Sequence, residues 1–190
     1  MGPGVVTERA RSLNLVGKRF IMEGFKKLGE GVRVYPLAKI VKPEAIEIGP
    51  HCIIDDFTFI YGGKGIVIGR YVHIASFVSI IGGGELVVGD YVAITTGARL
   101  ITGTDHYEGG SRMSTSLPLE QRNVKIGKIV IGKDAFVGTN AVVHPGVTIG
   151  EGAVIGSCSL VLEDCEPWTI YAGVPCKPIG KRPVVNRPDI

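Results

Sequence analysis

The stretch Ile131-Gly132-Lys133-Asp134-Ala135-Phe136-Val137-Gly138-Thr139-Asn140-Ala141-Val142-Val143-His144-Pro145-Gly146-Val147-Thr148-Ile149-Gly150 repeats itself every six residues. Ile131, Val137, Val143 and Ile149 hold one slot, which continues through Ile155 and Val161. Each is β-branched, a shape that suits a pleated strand. Gly132, Gly138, Gly150 and Gly156 directly follow four of them. Three residues beyond that glycine position stand Ala135, Ala141, Val147, Ala153, Ser159 and Cys165, all small or moderate in size. An α-helix does not accommodate this pattern. Six is not a multiple of 3.6, and each internal glycine would cost about 1 kcal/mol.

The same phase runs back through the chain with interruptions. Ile48, Ile54 and Ile60 are six apart, as are Ile68, Ile74 and Ile80, and then Val88, Ile94 and Leu100. Two extra residues separate the trios, at Gly62-Gly63-Lys64-Gly65 and Gly82-Gly83-Gly84-Glu85. Three hexapeptides plus a bulge make one triangular coil. Stacked coils about 4.8 Å apart pair their backbones and bury the sixth-position side chains along the axis. The expected fold is therefore an all-β solenoid of three parallel sheets over residues 46–166. Residues 1–45 read as a lead-in, with Phe20 to Leu28 as a short amphipathic helix. Residues 102–128 are polar, break the phase and read as a loop excursion. Residues 167–190 carry Pro167, Pro175, Pro178, Pro183 and Pro188 and read as a tail that cannot continue the coils.

Composition agrees with one folded domain: 190 residues, 45% hydrophobic and 21% charged. The 28 glycines are about twice the usual share of roughly 7% and imply many tight turns, since glycine accepts positive φ. A formal charge of +3, without basic runs interleaved with aromatics, argues against a nucleic-acid groove. Met1 to Arg11 lack a secretory signal's apolar stretch, and no segment is long enough to span a bilayer, so a cytoplasmic protein without membrane insertion is expected. Cys52, Cys158, Cys165 and Cys176 form no CxxC pair; Cys158 and Cys165 read as core.

An excursion from a regular scaffold is where chemistry is expected. Of His51, His73, His106 and His144, only His106 stands there, within Thr104-Asp105-His106-Tyr107. Imidazole is the natural general base near neutral pH. Asp105, its neighbour, either holds the loop or contacts substrate. No pair of histidines has the five-residue spacing of a trimeric zinc carbonic anhydrase, and no GxSxG is present.

The chain resembles the hexapeptide-repeat acyltransferases, specifically the maltose, galactoside and polysaccharide O-acetyltransferases. The resemblance runs from about Ile48 to Lys181. Its most specific part is Pro145-Gly146-Val147-Thr148-Ile149-Gly150 through Tyr171-Ala172-Gly173-Val174-Pro175-Cys176-Lys177-Pro178-Ile179. It implies a left-handed parallel β-helix; the handedness comes from the resemblance alone, since parallel crossovers are normally right-handed. It also implies a homotrimer with active sites at subunit interfaces, acetyl-CoA as co-substrate and no metal. The acceptor implied is a hydroxyl of a sugar or polysaccharide precursor, with N-acetylation of a nucleotide-linked amino sugar as the alternative. His106 matches the catalytic base. Ser76 falls where galactoside-type members carry an acceptor-binding asparagine, and Asp105 joins it as an acceptor contact. Thr139, Ser157, Lys177 and Lys181 match CoA-binding positions. The chain departs from the pattern at Leu162-Glu163, where Thr-Lys is expected, so that Arg182 would have to replace a lost phosphate contact. Phe136 replaces a tryptophan.

Overall fold

A computed structural model describes residues 20–190; the reading of Met1 to Arg11 lies outside the described residues. The chain winds as a triangular prism with three parallel sheets. Sheet 1 stacks Lys27–Leu28, Ile46–Ile48, Gly65–Ile68, Glu85–Val88, Ile129–Ile131 and Thr148–Ile149. Sheet 2 begins at Arg33–Val34 and ends with Thr169–Gly173, against which Cys176–Lys181 folds back antiparallel. Sheet 3 runs from Lys39–Val41 to Leu160–Val161.

Register places like on like. Ile54 lies on Ile74 and Ile74 on Ile94, which in turn pairs with Val137. Ile131, Val137, Val143, Ile149, Ile155 and Val161 are all at most 1% exposed. Burying one such side chain contributes roughly 1.5–3 kcal/mol, so the axis holds the coils together. The second slot, from Ala135 to Cys165, is also buried. It holds small residues because it sits where the chain bends at a corner.

Several expectations need correction. The segment after Glu166 does extend the winding, since Thr169–Gly173 pairs parallel with Val154 and Ile155 in sheet 2 before the chain folds back. Phe20 to Leu28 form no helix; Gly24 has φ 84° and Lys27–Leu28 is a strand paired with Glu47 and Ile48. Leu28, Val34 and Ile40 pair with Ile48, Ile54 and Ile60, so a complete coil precedes the first glycine-marked one. Its return corner is made by Lys42 and a 3-10 turn at Pro43–Ala45 rather than by glycines, which hid the repeat.

Turn glycines such as Gly146 and Gly152 do take positive φ, but the glycines that follow the inward slot serve another purpose. A Cβ on Gly132 would lie 2.5 Å from the backbone nitrogen of Glu151, and one on Gly138 2.5 Å from the carbonyl oxygen of Ile155. Close approach of the next coil, not positive φ, demands glycine there. Many left-handed corner positions are held instead by larger residues, among them Phe57, Phe77, Tyr71 and Tyr91. Cys158, expected in the core, takes such a corner position (φ 58°) and is exposed, while its neighbour Ser159 fills the buried slot.

Candidate active site

The phase breaks where Leu100 would lead into the next coil. Gly103–Asp105 pairs antiparallel with Val124–Ile126, and the chain between them leaves the prism at the corner from sheet 3 to sheet 1. The excursion is closed at its base by two contacts one residue apart. Arg122 donates from Nε and Nη2 to the two carboxylate oxygens of Asp105, both at 2.8 Å. The backbone N–H of His106 donates to the carbonyl of Asn123 at 2.6 Å. The Asp105 and Arg122 side chains are only 12% and 10% exposed. The guanidinium bonds hold the Asp105 carboxyl below the usual carboxylate range. Asp105 therefore spends both oxygens on the loop, the first of the two roles open to it from sequence. Arg122 itself carried no sequence signal, lying 17 residues away in an aperiodic segment.

His106 follows this clasp directly. Its ring stacks on Tyr107 with centroids 5.4 Å apart. The Glu108 N–H approaches Nδ1 at 3.4 Å and the Glu108 carboxylate lies 3.9 Å from the same nitrogen. The side chain is 30% exposed, so the imidazole reaches solvent without being free to wander.

Ser76, Thr139 and Ser157 stand together on a different edge, the corner from sheet 2 to sheet 3. Backbone bonds link its successive levels: Gly97 N–H to Ser76 carbonyl, Asn140 N–H to Thr96 carbonyl, and Cys158 N–H to Thr139 carbonyl. Thr139 is braced by the Thr95 hydroxyl at 3.3 Å. Residues separated by 18 to 81 positions thus form one row of hydroxyls. Within one chain this row and His106 are not brought together. The face of sheet 3 lies between them, about five residues or roughly 16 Å of extended chain.

The two lysines also part company. Lys177 pairs with Ala172, beside Gly156 at the hydroxyl edge, and lines a cavity of about 250 Å³ with Leu162, Glu163, Tyr171 and Cys176. Lys181 lies at the other end of that hairpin, bonded to Thr169 Oγ1 at 2.7 Å and Glu166 at 3.3 Å. Arg182, the expected substitute for a phosphate contact, donates to the carbonyls of Asp134 and Gly152 and stacks on Trp168. Those bonds hold it away from the cavity. Cys165 and Cys176 flank the cavity; burial, then the neighbouring thiol, pushes Cys165 up to about 12, which makes it a poor nucleophile.

The other histidines have structural surroundings. His51 stacks on Tyr71, and His73 Nε2 lies 2.9 Å from Asp55 on the outer face of sheet 2. Burial, then Lys125, lowers His144 below the ordinary imidazole value. Among the described residues no His, Cys, Asp and Glu group is placed to hold a metal ion, and no helix is long and apolar enough to cross a membrane.

Hexapeptide coils broken by a histidine-bearing excursion make the described residues a β-helix with a candidate base at one edge. The bacterial transferase hexapeptide (six repeats) family matches residues 128–163. The dTDP-4-amino-4,6-dideoxy-D-glucose acyltransferase of Escherichia coli is 39% identical over 160 residues, 84% of this chain and 83% of that protein. AntD, an N-acyltransferase from Bacillus cereus solved with dTDP and 3-hydroxybutyryl-CoA, superposes with a TM-score of 0.81 at 34% identity, covering 84% of this chain and 85% of that one. The galactoside O-acetyltransferase of Escherichia coli K12 is 47% identical, but over 51 residues, 27% of this chain and 25% of that protein. The chain belongs to the hexapeptide-repeat acyltransferases, and its prism is their left-handed parallel β-helix. It is an enzyme of acyl transfer from CoA thioesters. The expected preference for a sugar hydroxyl fits less well than its alternative, because similarity over most of the chain is to acyltransferases named for an amino sugar nucleotide or for N-acylation.

Proposed function

We propose that this chain transfers a short acyl group from a CoA thioester to the amine of a nucleotide-linked amino sugar. The observation that carries the reading is the 84% of the chain over which it resembles the dTDP-amino-sugar acyltransferase, set against 27% for the O-acetyltransferase. The separation of His106 from the hydroxyl edge adds a second element: the working form is a homotrimer, in which the excursion of one copy reaches the edge of the next. Ser76 then lies on the acceptor side, while Thr139, Ser157 and Lys177 lie along the thioester.

The amine nitrogen attacks the thioester carbonyl and forms a C–N bond. The nitrogen of the tetrahedral adduct becomes acidic, and His106 takes its proton. Collapse breaks the C–S bond, and the proton passes to the leaving thiolate, giving amide and free CoA with no net proton released. Such base catalysis is typically worth about 10²- to 10⁴-fold. Backbone N–H groups would steady the adduct's oxyanion.

The test is a panel of acceptors assayed with acetyl-CoA and 3-hydroxybutyryl-CoA by release of free thiol. A dTDP-amino sugar should be acylated far faster than its hydroxyl counterpart or galactosides, and His106→Ala should lose about 10²-fold or more in turnover. Faster reaction with the hydroxyl acceptors would reverse the assignment. Near wild-type turnover in His106→Ala would remove the base.

A further inference from the structure

We infer that the nucleobase of the acceptor stacks on Phe77, at the sheet 2 to sheet 3 edge, with Arg99 beside it for the diphosphate. This rests on the reading of the acceptor as a nucleotide-linked amino sugar and says where its nucleotide lies. Five successive levels of the edge carry a left-handed residue: Phe57, Phe77, Gly97, Asn140 and Cys158. At the first two of these five levels the rings stack, with centroids 5.3 Å apart and planes within 8°. Both stand in solvent, Phe57 at 56% and Phe77 at 60% exposed, whereas the inward Ile54, Ile60, Ile74 and Ile80 of the same coils are at most 1% exposed.

The aromatic row stops at Gly97, which has no side chain to cover Phe77. The three atoms nearest a Cβ placed at Gly97 all belong to Asn140, whose side-chain amide reaches up to that level. A planar heterocycle laid on Phe77 would continue the stack and meet an amide able to donate and accept at its edge. Every base has a π-face, so stacking supplies affinity without selecting a base, and the amide supplies the selection.

The neighbouring strand of sheet 3 places the cation. Arg99 is exposed, and its Nη1 donates to the Gly97 carbonyl at 2.5 Å, which fixes the guanidinium beside the edge. A guanidinium has five N–H donors, and those beyond the one on Gly97 suit a phosphate. The Ser76 and Thr96 hydroxyls follow on the same edge. Ser76 sits beside Phe77 and Thr96 beside Gly97, with Arg99 on the sheet 3 side, so ring, hydroxyls and cation all fall within the span of one nucleotide sugar. Thr139 and Ser157 lie further along, toward the closing hairpin, so donor and acceptor approach from opposite ends.

The test uses the full chain, with dTDP and thymidine as calorimetric probes. Phe77→Leu keeps the apolar bulk and loses the ring; its Kd for dTDP should rise about 5- to 100-fold, with CoA affinity and oligomeric mass unchanged. Phe77→Tyr, which keeps the ring, should bind dTDP like the wild type. Arg99→Gln should weaken dTDP but not thymidine. An unchanged Kd in Phe77→Leu overturns the inference. So does a weakened Kd accompanied by a fall in oligomeric mass, which would assign the ring to subunit contact. If the wild type acylates a dTDP-amino sugar and Phe77→Leu does so with an unchanged KM, the base site alone fails. If the wild type neither binds dTDP nor acylates such a sugar, the acceptor reading fails as well.

Discussion

Replacing Asp105 by Asn tests whether the clasp at the base of the excursion sets the rate. Asp105 receives two parallel bonds from Arg122 at 2.8 Å, and the next residue is His106, itself tied to Asn123 by its backbone N–H. An asparagine offers one oxygen and turns an NH₂ donor toward the other guanidinium donor, so one bond becomes a repulsion and the charge attraction is lost. The excursion hairpin is only three residue pairs long, Gly103 to Asp105 against Val124 to Ile126. Its open end, where His106 leaves, should therefore fray. A reacting group displaced by about 1 Å costs about 10²-fold, so kcat should fall about 10- to 100-fold. The KM for the thioester should hold, because Thr139, Ser157 and Lys177 lie on another edge. The melting temperature should move little, since the ladder of the prism is untouched. Arg122→Lys keeps the charge without the fork and should fall between. Because Asp105 is depressed in the folded state, the clasp's contribution is present above the unfolded carboxyl value of about 3.9. It is lost only as pH falls through the folded value, so the defect should be equally visible across neutral pH. Steady-state kinetics by thiol release, with thermal melts in parallel, give the reading. Wild-type kcat in Asp105→Asn would refute the positioning argument, and a kcat loss matched by general unfolding would reduce the clasp to a structural element.

The prism, the donor edge and His144 supply three more predictions. Ile94→Ala, at a position 0% exposed between Ile74 and Val137, should cost about 2–5 kcal/mol in denaturant melts. Val67→Ala, which faces outward at 46% exposure, should cost within about 0.5 kcal/mol, and equal losses would overturn the register. Lys177→Ala should raise the KM for the CoA thioester more at low salt than at high salt, while Lys181→Ala, already held by Thr169 and Glu166, should not; the reverse order would misplace the donor. His144 has a lower pKa folded than unfolded, so the unfolded chain takes up its proton first. Its stability contribution is present above about pH 6.5 and lost as pH falls through the folded value. His144→Gln should flatten the denaturant midpoint between about pH 7 and 5; an unaltered pH dependence would place the titration elsewhere.

What the sequence by itself determined was the solenoid, because a six-residue period decides which side chain faces inward at every strand. Ile131, Val137 and Val143 needed no neighbour from elsewhere in the chain to declare that pattern. His106 was legible for the opposite reason, as the one histidine where the period fails. The early coil of Leu28, Val34 and Ile40 escaped notice since its corner is closed by Lys42 and Pro43 instead of glycines. Only the tertiary structure decided that Ser76, Thr139 and Ser157 share an edge, that Lys177 stands near it and Lys181 does not, and that Arg122 grips Asp105. Those relations depend on which residues the winding stacks at each corner. The lengths of the insertions fix that phase, and an aperiodic segment such as 106–122 has no repeat from which its partners could be read.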